Sequence, residues 1–245
     1  SSVPPATGSA EIDYGRYRRK LLPDDQLRTR FRLRYAKEEP FRYAGHLDII
    51  RAFYRALRRS DLPVAYSQGF APRPVIAFGP PLPVGVTSNA EYLDLQMAGH
   101  YLGNLVRDLG SYLPPGLRLL ESRQILAKSD SLGASIKASE YRILTRGLQA
   151  PEHSAALERR AAIPGILDLK FAAPDALSSS PADSEAGYDP VEVVLVLAVT
   201  PGAKLFPTLA RLFNLTDPEV RCWRIQRRAC YTVRADKLVS PMEEL

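Results

Sequence analysis

The chain has 245 residues, of which 45% are hydrophobic and 24% charged, proportions typical of a folded protein with one large or two modest domains. Its two cysteines are too few for a disulfide framework or a four-cysteine metal site, which favours a reduced, cytoplasmic setting. The longest apolar run, residues 193–199, is too short to cross a bilayer, so no membrane partner is expected.

The net charge of +6 is unevenly distributed. Residues 14–73 contain 15 Lys or Arg against 6 Asp or Glu, and arginine outnumbers lysine 26 to 7 in the whole chain. Arginine binds phosphate through two parallel hydrogen bonds and stacks on bases, so this bias favours a nucleic-acid partner. A GC-rich genome would also explain the arginine content, but it does not explain the clustering.

Residues 1–27 are predicted to be a flexible basic N-terminal linker, because they combine Ser, Pro, Ala and Gly with the basic stretch YGRYRRK. A strand follows, in which Phe31, Leu33 and Tyr35 alternate with arginines. We predict that its apolar face packs on the core and that its other face is a cationic, RNA-binding ladder. The ladder consists of Arg28, Arg30, Arg32 and Arg34.

A helix is predicted over residues 47–59, where Ile50, Phe53 and Leu57 recur at helical spacing. Its last turn is basic, which suits the negative end of the helix dipole. His46 and Asp48 at its start have two interpretations. They are candidate catalytic residues, acting as a general base or activating an RNA 2′-hydroxyl. Alternatively, they cap the free N–H groups of the first turn.

The order of elements over residues 28–130 is strand, helix, strand, strand, helix, strand, and residues 138–245 approximate the same order. The second segment also contains an insertion near residues 172–189 whose composition predicts flexibility. The pattern predicts an α+β protein of two tandem ferredoxin-like (βαββαβ) units with antiparallel sheets.

The loop over residues 66–86 is the predicted binding site of the first unit. Tyr66 and Phe70 could stack on unpaired bases, Gln68 could contact a base edge, and Arg73 could hold a phosphate. The alternative is a packed structural crossover that buries Phe70 and Phe78.

A second nucleic-acid face is predicted near the C-terminus, where arginines are interleaved with aromatic residues. Its members are Arg224, Arg227 and Arg228. Cys222 and Cys230 in this stretch are interpreted as ordinary buried thiols. No phosphate-binding, dinucleotide or serine-hydrolase motif occurs, and no metal site is predicted.

Several short motifs together resemble the radical-SAM-linked protein family, a domain of unknown function. This domain stands alone or is fused C-terminal to a cobalamin-binding-type radical SAM domain. The motifs are GHLD (45–48), RALRRSDLP (55–63), YSQGF (66–70), PRP (72–74), LPVGV (82–86) and EYLD (91–94). The resemblance implies an accessory role beside a radical SAM enzyme, close to RNA-processing and ribosomal functions. The chain lacks the three-cysteine cluster motif, so the iron–sulfur cluster and S-adenosylmethionine are expected only in a partner or fused domain.

Three functions follow as hypotheses. The first is a non-catalytic RNA-binding or substrate-presenting module of a radical SAM enzyme that acts on tRNA, rRNA or a ribosomal component. The second is an RNA-modifying or RNA-cleaving enzyme that uses His46 and Asp48. The third is a protein-interaction module without RNA binding.

Overall fold

The computed structural model describes residues 11–14, 17–20, 28–68, 70–126, 130–145, 148, 150–172, 192–200 and 203–243. Within the predicted linker, strand β1 (Glu11–Tyr14) pairs antiparallel with strand β2 (Tyr17–Lys20). The predicted insertion lies outside the described residues except for position 172.

The first half of the chain carries helices and strands in the predicted order. They are β3 (Arg28–Lys37), a 3₁₀ turn (Phe41–Tyr43), α1 (His46–Arg59), β4 (Ile76–Phe78), β5 (Thr87–Ala98), α2 (Leu105–Gly110) and β6 (Leu117–Ile125). Strand β3 lies between β6 and β5, β4 pairs with the other edge of β5, and all these pairs are antiparallel. The strands therefore lie in the order fourth, first, third, second.

The second half repeats this arrangement with additional short elements. They are α3 (Leu132–Ser135), β7 (Ile136–Leu144), α4 (Ala150–Arg160), β8 (Ile166–Ala172), β9 (Glu192–Ala198), α5 (Leu205–Phe213), α6 (Asp217–Arg221), β10 (Arg224–Arg234) and β11 (Lys237–Val239). The long strands lie in the order β10, β7, β9, β8, again antiparallel.

The two halves share one nine-stranded sheet. Strand β10 pairs in parallel with the start of β5, where Gln226 lies opposite Thr87 and Arg227 opposite Ser88. The sheet is mostly antiparallel and accompanied by helices, which agrees with the predicted α+β class. The expected separation into two sheets differs from this structure, because the β5–β10 pair closes the gap between them. The ferredoxin-like assignment and the boundaries at residues 130 and 138 stay predictions.

Each half has its own hydrophobic core. Helix α1 buries one stripe, including Ile49, Phe53 and Leu57, against the apolar face of β3 and β5. The core of the second half forms around Leu195 and Leu209, and Leu82 and Val86 of the first half also pack into it. In the described part of the chain, no helix is both long and apolar enough to span a membrane.

Candidate functional site

Three arginines of the β3 ladder, Arg30, Arg32 and Arg34, are paired with carboxylates of the neighbouring strands. Arg32 is only 1% exposed, and its Nε lies 2.9 Å from Oδ1 of Asp94. Arg30 reaches the other oxygen of the same carboxylate at 2.6 Å. Arg34 lies 3.5 Å from Glu121 on β6. Because β5 and β6 place acids beside this row, the row is not a uniformly cationic face.

The C-terminal segment covers part of the same face. Arg32 donates to the carbonyl oxygen of Pro241 at 3.0 Å, and Arg123 donates to that of Met242 at 2.6 Å. Both Pro241 and Met242 are buried. RNA contact by the ladder stays a prediction, but Arg32 cannot contact a ligand from this position. A substitution of Arg32 is therefore expected to lower the stability of the protein, and a loss of binding in such a variant would not show that Arg32 contacts RNA.

His46 and Asp48 lie at the start of α1, where only Asp48 shows the hydrogen bond expected of a capping residue. Oδ2 of Asp48 accepts a hydrogen bond from the backbone N–H of Gly45 at 3.0 Å, and its Oδ1 lies 3.4 Å from Arg51. The ring of His46 packs edge-on against Phe78, with centroids 5.7 Å apart. For Asp48 this geometry favours capping, the second of the two interpretations, whereas the contact that His46 makes is ring packing. A catalytic role for the pair stays a prediction.

The tip of the predicted binding loop is exposed. Ser67 and Arg73 hold its base together: the N–H of Ser67 donates to the carbonyl of Arg73 at 2.8 Å, and the N–H of Arg73 donates to Oγ of Ser67 at 3.1 Å. Phe70 is fully exposed, and Gln68 and Arg73 are exposed. Tyr66 instead packs partly against the first core. The alternative of a crossover that buries Phe70 is therefore wrong, although Phe78 does pack against the ring of Phe53.

The predicted C-terminal face is divided between surface and interior. Arg224 and Arg228 are exposed, whereas Arg227 is 3% exposed. Cys230 is buried as predicted, and burial raises the pKa of its thiol. Cys222 is exposed, contrary to expectation, because it follows α6 and does not lie on a strand.

Arg227 belongs to a buried charge cluster between the two cores. Its Nη1 lies 3.0 Å from Oε1 of Glu91 and 3.1 Å from the carbonyl oxygen of Pro80, and its Nη2 donates to the carbonyl of Pro81 at 3.2 Å. It also donates to the hydroxyl of Tyr141 at 3.2 Å. A side chain of the second half thereby holds the proline-rich loop of the first half in place.

Two further cations adjoin this cluster. Arg42 donates from Nε to the carbonyl oxygen of Gly85 at 2.6 Å, and the exposed Glu39 lies 3.5 Å from its guanidinium. The side chain of Lys37 is completely buried, and its Nζ has no hydrogen-bond partner among the described residues. Burial lowers the pKa of Lys37, and the charge of Glu91 partly opposes this shift.

Lys37→Met should stabilise the protein near neutral pH and reduce the pH dependence of its stability. Because the pKa of Lys37 is lowered in the folded state, the unfolded chain binds more protons between that value and the ordinary 10.5. The free energy of unfolding of the wild type should therefore rise with pH in this window. Methionine retains most of the apolar part of the lysine side chain and has no titratable group.

Urea unfolding of both proteins between pH 7 and 9.5 measures this effect. The tyrosine and cysteine contributions are common to both proteins and cancel in the difference. A difference in unfolding free energy that stays constant over this range would contradict the prediction.

The cationic surface that the pattern analysis missed lies on α1. Four exposed arginines occupy the side opposite the buried stripe, and we call this set the α1 arginine face. Its members are Arg51, Arg55, Arg58 and Arg59. Arg51 pairs with Asp48, whereas the other three have no carboxylate within ion-pair distance among the described residues. The spacing of these arginines along the helix indicates a shared face. The sequence alone did not mark this face as a binding surface, because the helix dipole already explains a basic last turn.

A bacterial protein family matches residues 30–168, which is more than half of the chain. The chain belongs to this family. It is described as "Uncharacterized protein conserved in bacteria (DUF2344)". Membership confirms that the motifs mark a domain of unknown function, while the link to radical SAM enzymes stays a prediction. The matched residues include β3 from Arg30 onward, α1, the exposed loop and Glu91.

Other comparisons add little about function. The chain has no significant match among curated proteins. One similar solved structure is that of an unknown protein from Galdieria sulphuraria, with 14% identity over 82% of this chain and 98% of the other. The TM-score of 0.25 is too low for the two backbones to be compared as one fold.

Proposed function

We propose that the protein is a non-catalytic RNA-binding or substrate-presenting module that works beside a cytoplasmic radical SAM enzyme on tRNA, rRNA or a ribosomal component. The observation that carries the RNA part is the α1 arginine face, where Arg55, Arg58 and Arg59 are exposed without carboxylate partners among the described residues. Guanidinium groups in this state can pair with phosphates at little cost, since no internal ion pair must first be broken.

The loop tip adds a second type of contact. Phe70 is fully exposed between the exposed Gln68 and Arg73, and an aromatic ring in this setting can stack on an unpaired base. Hydrogen bonds between Ser67 and Arg73 hold the base of the loop, which reduces the ordering cost on binding.

The partner is supported by the motif resemblance. In the proposed arrangement the radical SAM protein or domain supplies the iron–sulfur cluster and S-adenosylmethionine, and this chain supplies RNA contacts. The proposed architecture of the module is two ferredoxin-like units, supported by the strand order fourth, first, third, second in each half.

The triple variant Arg55→Gln, Arg58→Gln, Arg59→Gln should bind structured RNA more weakly than the wild type. If each arginine pairs with one phosphate, the slope of log K against log salt concentration should fall in magnitude by about three. Fluorescence anisotropy with a labelled tRNA at several salt concentrations measures both quantities.

A matched control removes the same net charge elsewhere. Arg107, Arg118 and Arg221 are exposed but paired with Asp108, Glu38 and Asp217 respectively. The corresponding triple glutamine variant should keep most of the affinity and the salt slope. Equal losses in both variants, or no loss in the first, would overturn the proposed RNA face.

The exposure of Phe70 also favours a protein-interaction module as a second candidate function. In that case Phe70→Ser should abolish co-purification of a radical SAM protein from native extract, while the arginine variants retain it. The enzymatic alternative is supported only by the closeness of His46 and Asp48 in the sequence. Asp48 accepts a hydrogen bond from the N–H of Gly45, and the ring of His46 packs against Phe78.

A further inference from the structure

A cavity of about 430 Å³ opens beside the α1 arginine face. Helix α1 contributes Ala52, Arg55 and Arg59, and residues 112–115 form the opposite wall. Ligand sites for small molecules have volumes of roughly 300–1,000 Å³, so this cavity is large enough for one nucleotide-sized group.

The wall opposite α1 is held in a defined conformation. The backbone N–H of Tyr112 donates to the carbonyl oxygen of Leu109 at 3.1 Å, and that of Leu117 donates to the carbonyl oxygen of Pro114 at 3.1 Å. The following Gly116 has φ of +87°, and a Cβ there would lie 2.8 Å from the backbone nitrogen of Phe41. Only glycine suits this close approach, so the turn that follows the two prolines depends on Gly116.

The charge of the cavity is positive. Arg55 and Arg59 are exposed, and neither has a carboxylate within ion-pair distance among the described residues. The Cζ of Arg59 lies 5.8 Å from the centre of the Tyr112 ring, and Arg59 lies in the last turn of α1, where the helix dipole favours a cation. Arg55 lies one turn earlier and makes no such contact, so an anionic ligand is the natural complement of its charge.

The remaining lining is largely apolar. Tyr112, Leu113 and Pro114 are half-buried and offer a ring, an aliphatic side chain and a pyrrolidine to the cavity. Such a wall suits a planar heterocycle, and the arginines suit a phosphate on the same ligand. A free phosphate would leave the apolar wall unused, and a neutral ring would leave the arginines unpaired.

We infer that this cavity binds one nucleotide through its phosphate and its base, with the phosphate on Arg55 and Arg59 and the base against Tyr112. The inference rests on the proposed RNA function and names the unit of RNA that the module recognises. Arg58 lies on the α1 arginine face but does not line the cavity, so the two sites can be separated by mutation.

NMR titration with AMP, adenosine and inorganic phosphate tests the inference. AMP should bind more tightly than either fragment, and its shift changes should centre on residues 112–115. Tyr112→Leu should weaken AMP binding about 5- to 150-fold, the loss expected for one base–aromatic stack. Tyr112→Phe keeps the ring and should keep the affinity, which also separates binding from folding defects.

Arg58→Gln distinguishes this inference from the RNA function. It should weaken tRNA binding in anisotropy measurements while leaving AMP binding unchanged. Phosphate binding equal to that of AMP, or unaltered AMP binding in Tyr112→Leu, would overturn the nucleotide site even if tRNA binding persists. If the wild type binds AMP but does not bind tRNA, only the RNA function is overturned.

Discussion

Replacing Asp94 with Asn should lower the free energy of unfolding by about 3–5 kcal/mol, the range for removing one partner of a buried ion pair. The Asp94 side chain is 2% exposed and serves two arginines, at 2.6 Å from Arg30 and 2.9 Å from Arg32. Asparagine has nearly the same shape but no charge. It would remove the negative charge of the carboxylate that lies 2.9 Å from the fully buried guanidinium of Arg32.

Urea unfolding followed by circular dichroism measures the change. Glu38→Gln is the matched control. Glu38 pairs with Arg118 at 2.7 Å, but the side chain of Glu38 is 41% exposed and that of Arg118 is 60% exposed. Solvent screens that pair, so its loss should cost less than about 1 kcal/mol. Similar losses in the two variants would show that the charge of Asp94 is not needed on this face.

Glu91→Gln should cost a similar amount, again about 3–5 kcal/mol. Glu91 is 5% exposed and is the carboxylate that pairs with Arg227 at 3.0 Å. It also favours the charged form of Lys37, whose Nζ has no hydrogen-bond partner among the described residues. Without the charge of Glu91, the buried cations Lys37 and Arg227 would repel each other without a compensating carboxylate charge from this residue. Arg227, which hydrogen-bonds to Pro80 and Pro81 of the proline-rich loop, would also lose its ion pair.

A double variant tests this explanation. Adding Lys37→Met to Glu91→Gln removes one of the two cations and should recover part of the lost stability in the same urea experiment. Strictly additive effects of the two substitutions would contradict the charge explanation, since residues in one electrostatic network are expected to couple.

Local patterns predicted the individual elements well. The alternation in β3 predicted that Phe31, Leu33 and Tyr35 are buried, and the helical spacing predicted α1. Both patterns depend on the repeat of the backbone itself, a period of two in a strand and 3.6 in a helix. The loop was also recognised from its glycines and prolines, but the sequence left open whether Phe70 is buried, and only the structure places it at the surface.

The partners of charged side chains could not be predicted in this way. Alternation shows that four arginines share one face of β3, but not what lies against that face. Asp94 is 62 positions away from Arg32, and Pro241 is 209 positions away. In the same way, Arg227 is 136 positions from Glu91, so its place in the interior depends on the pairing of β10 with β5.

The amino-acid sequence by itself determined the α+β class, the order of elements and the apolar stripe of each, because these follow from short-range backbone periodicity. Only the tertiary structure decided that Arg32 and Arg227 are interior while Arg55 and Arg58 face solvent. An arginine has the same side chain in both settings. Its role depends on the carboxylates and carbonyl groups that strand pairing brings to it from distant parts of the chain.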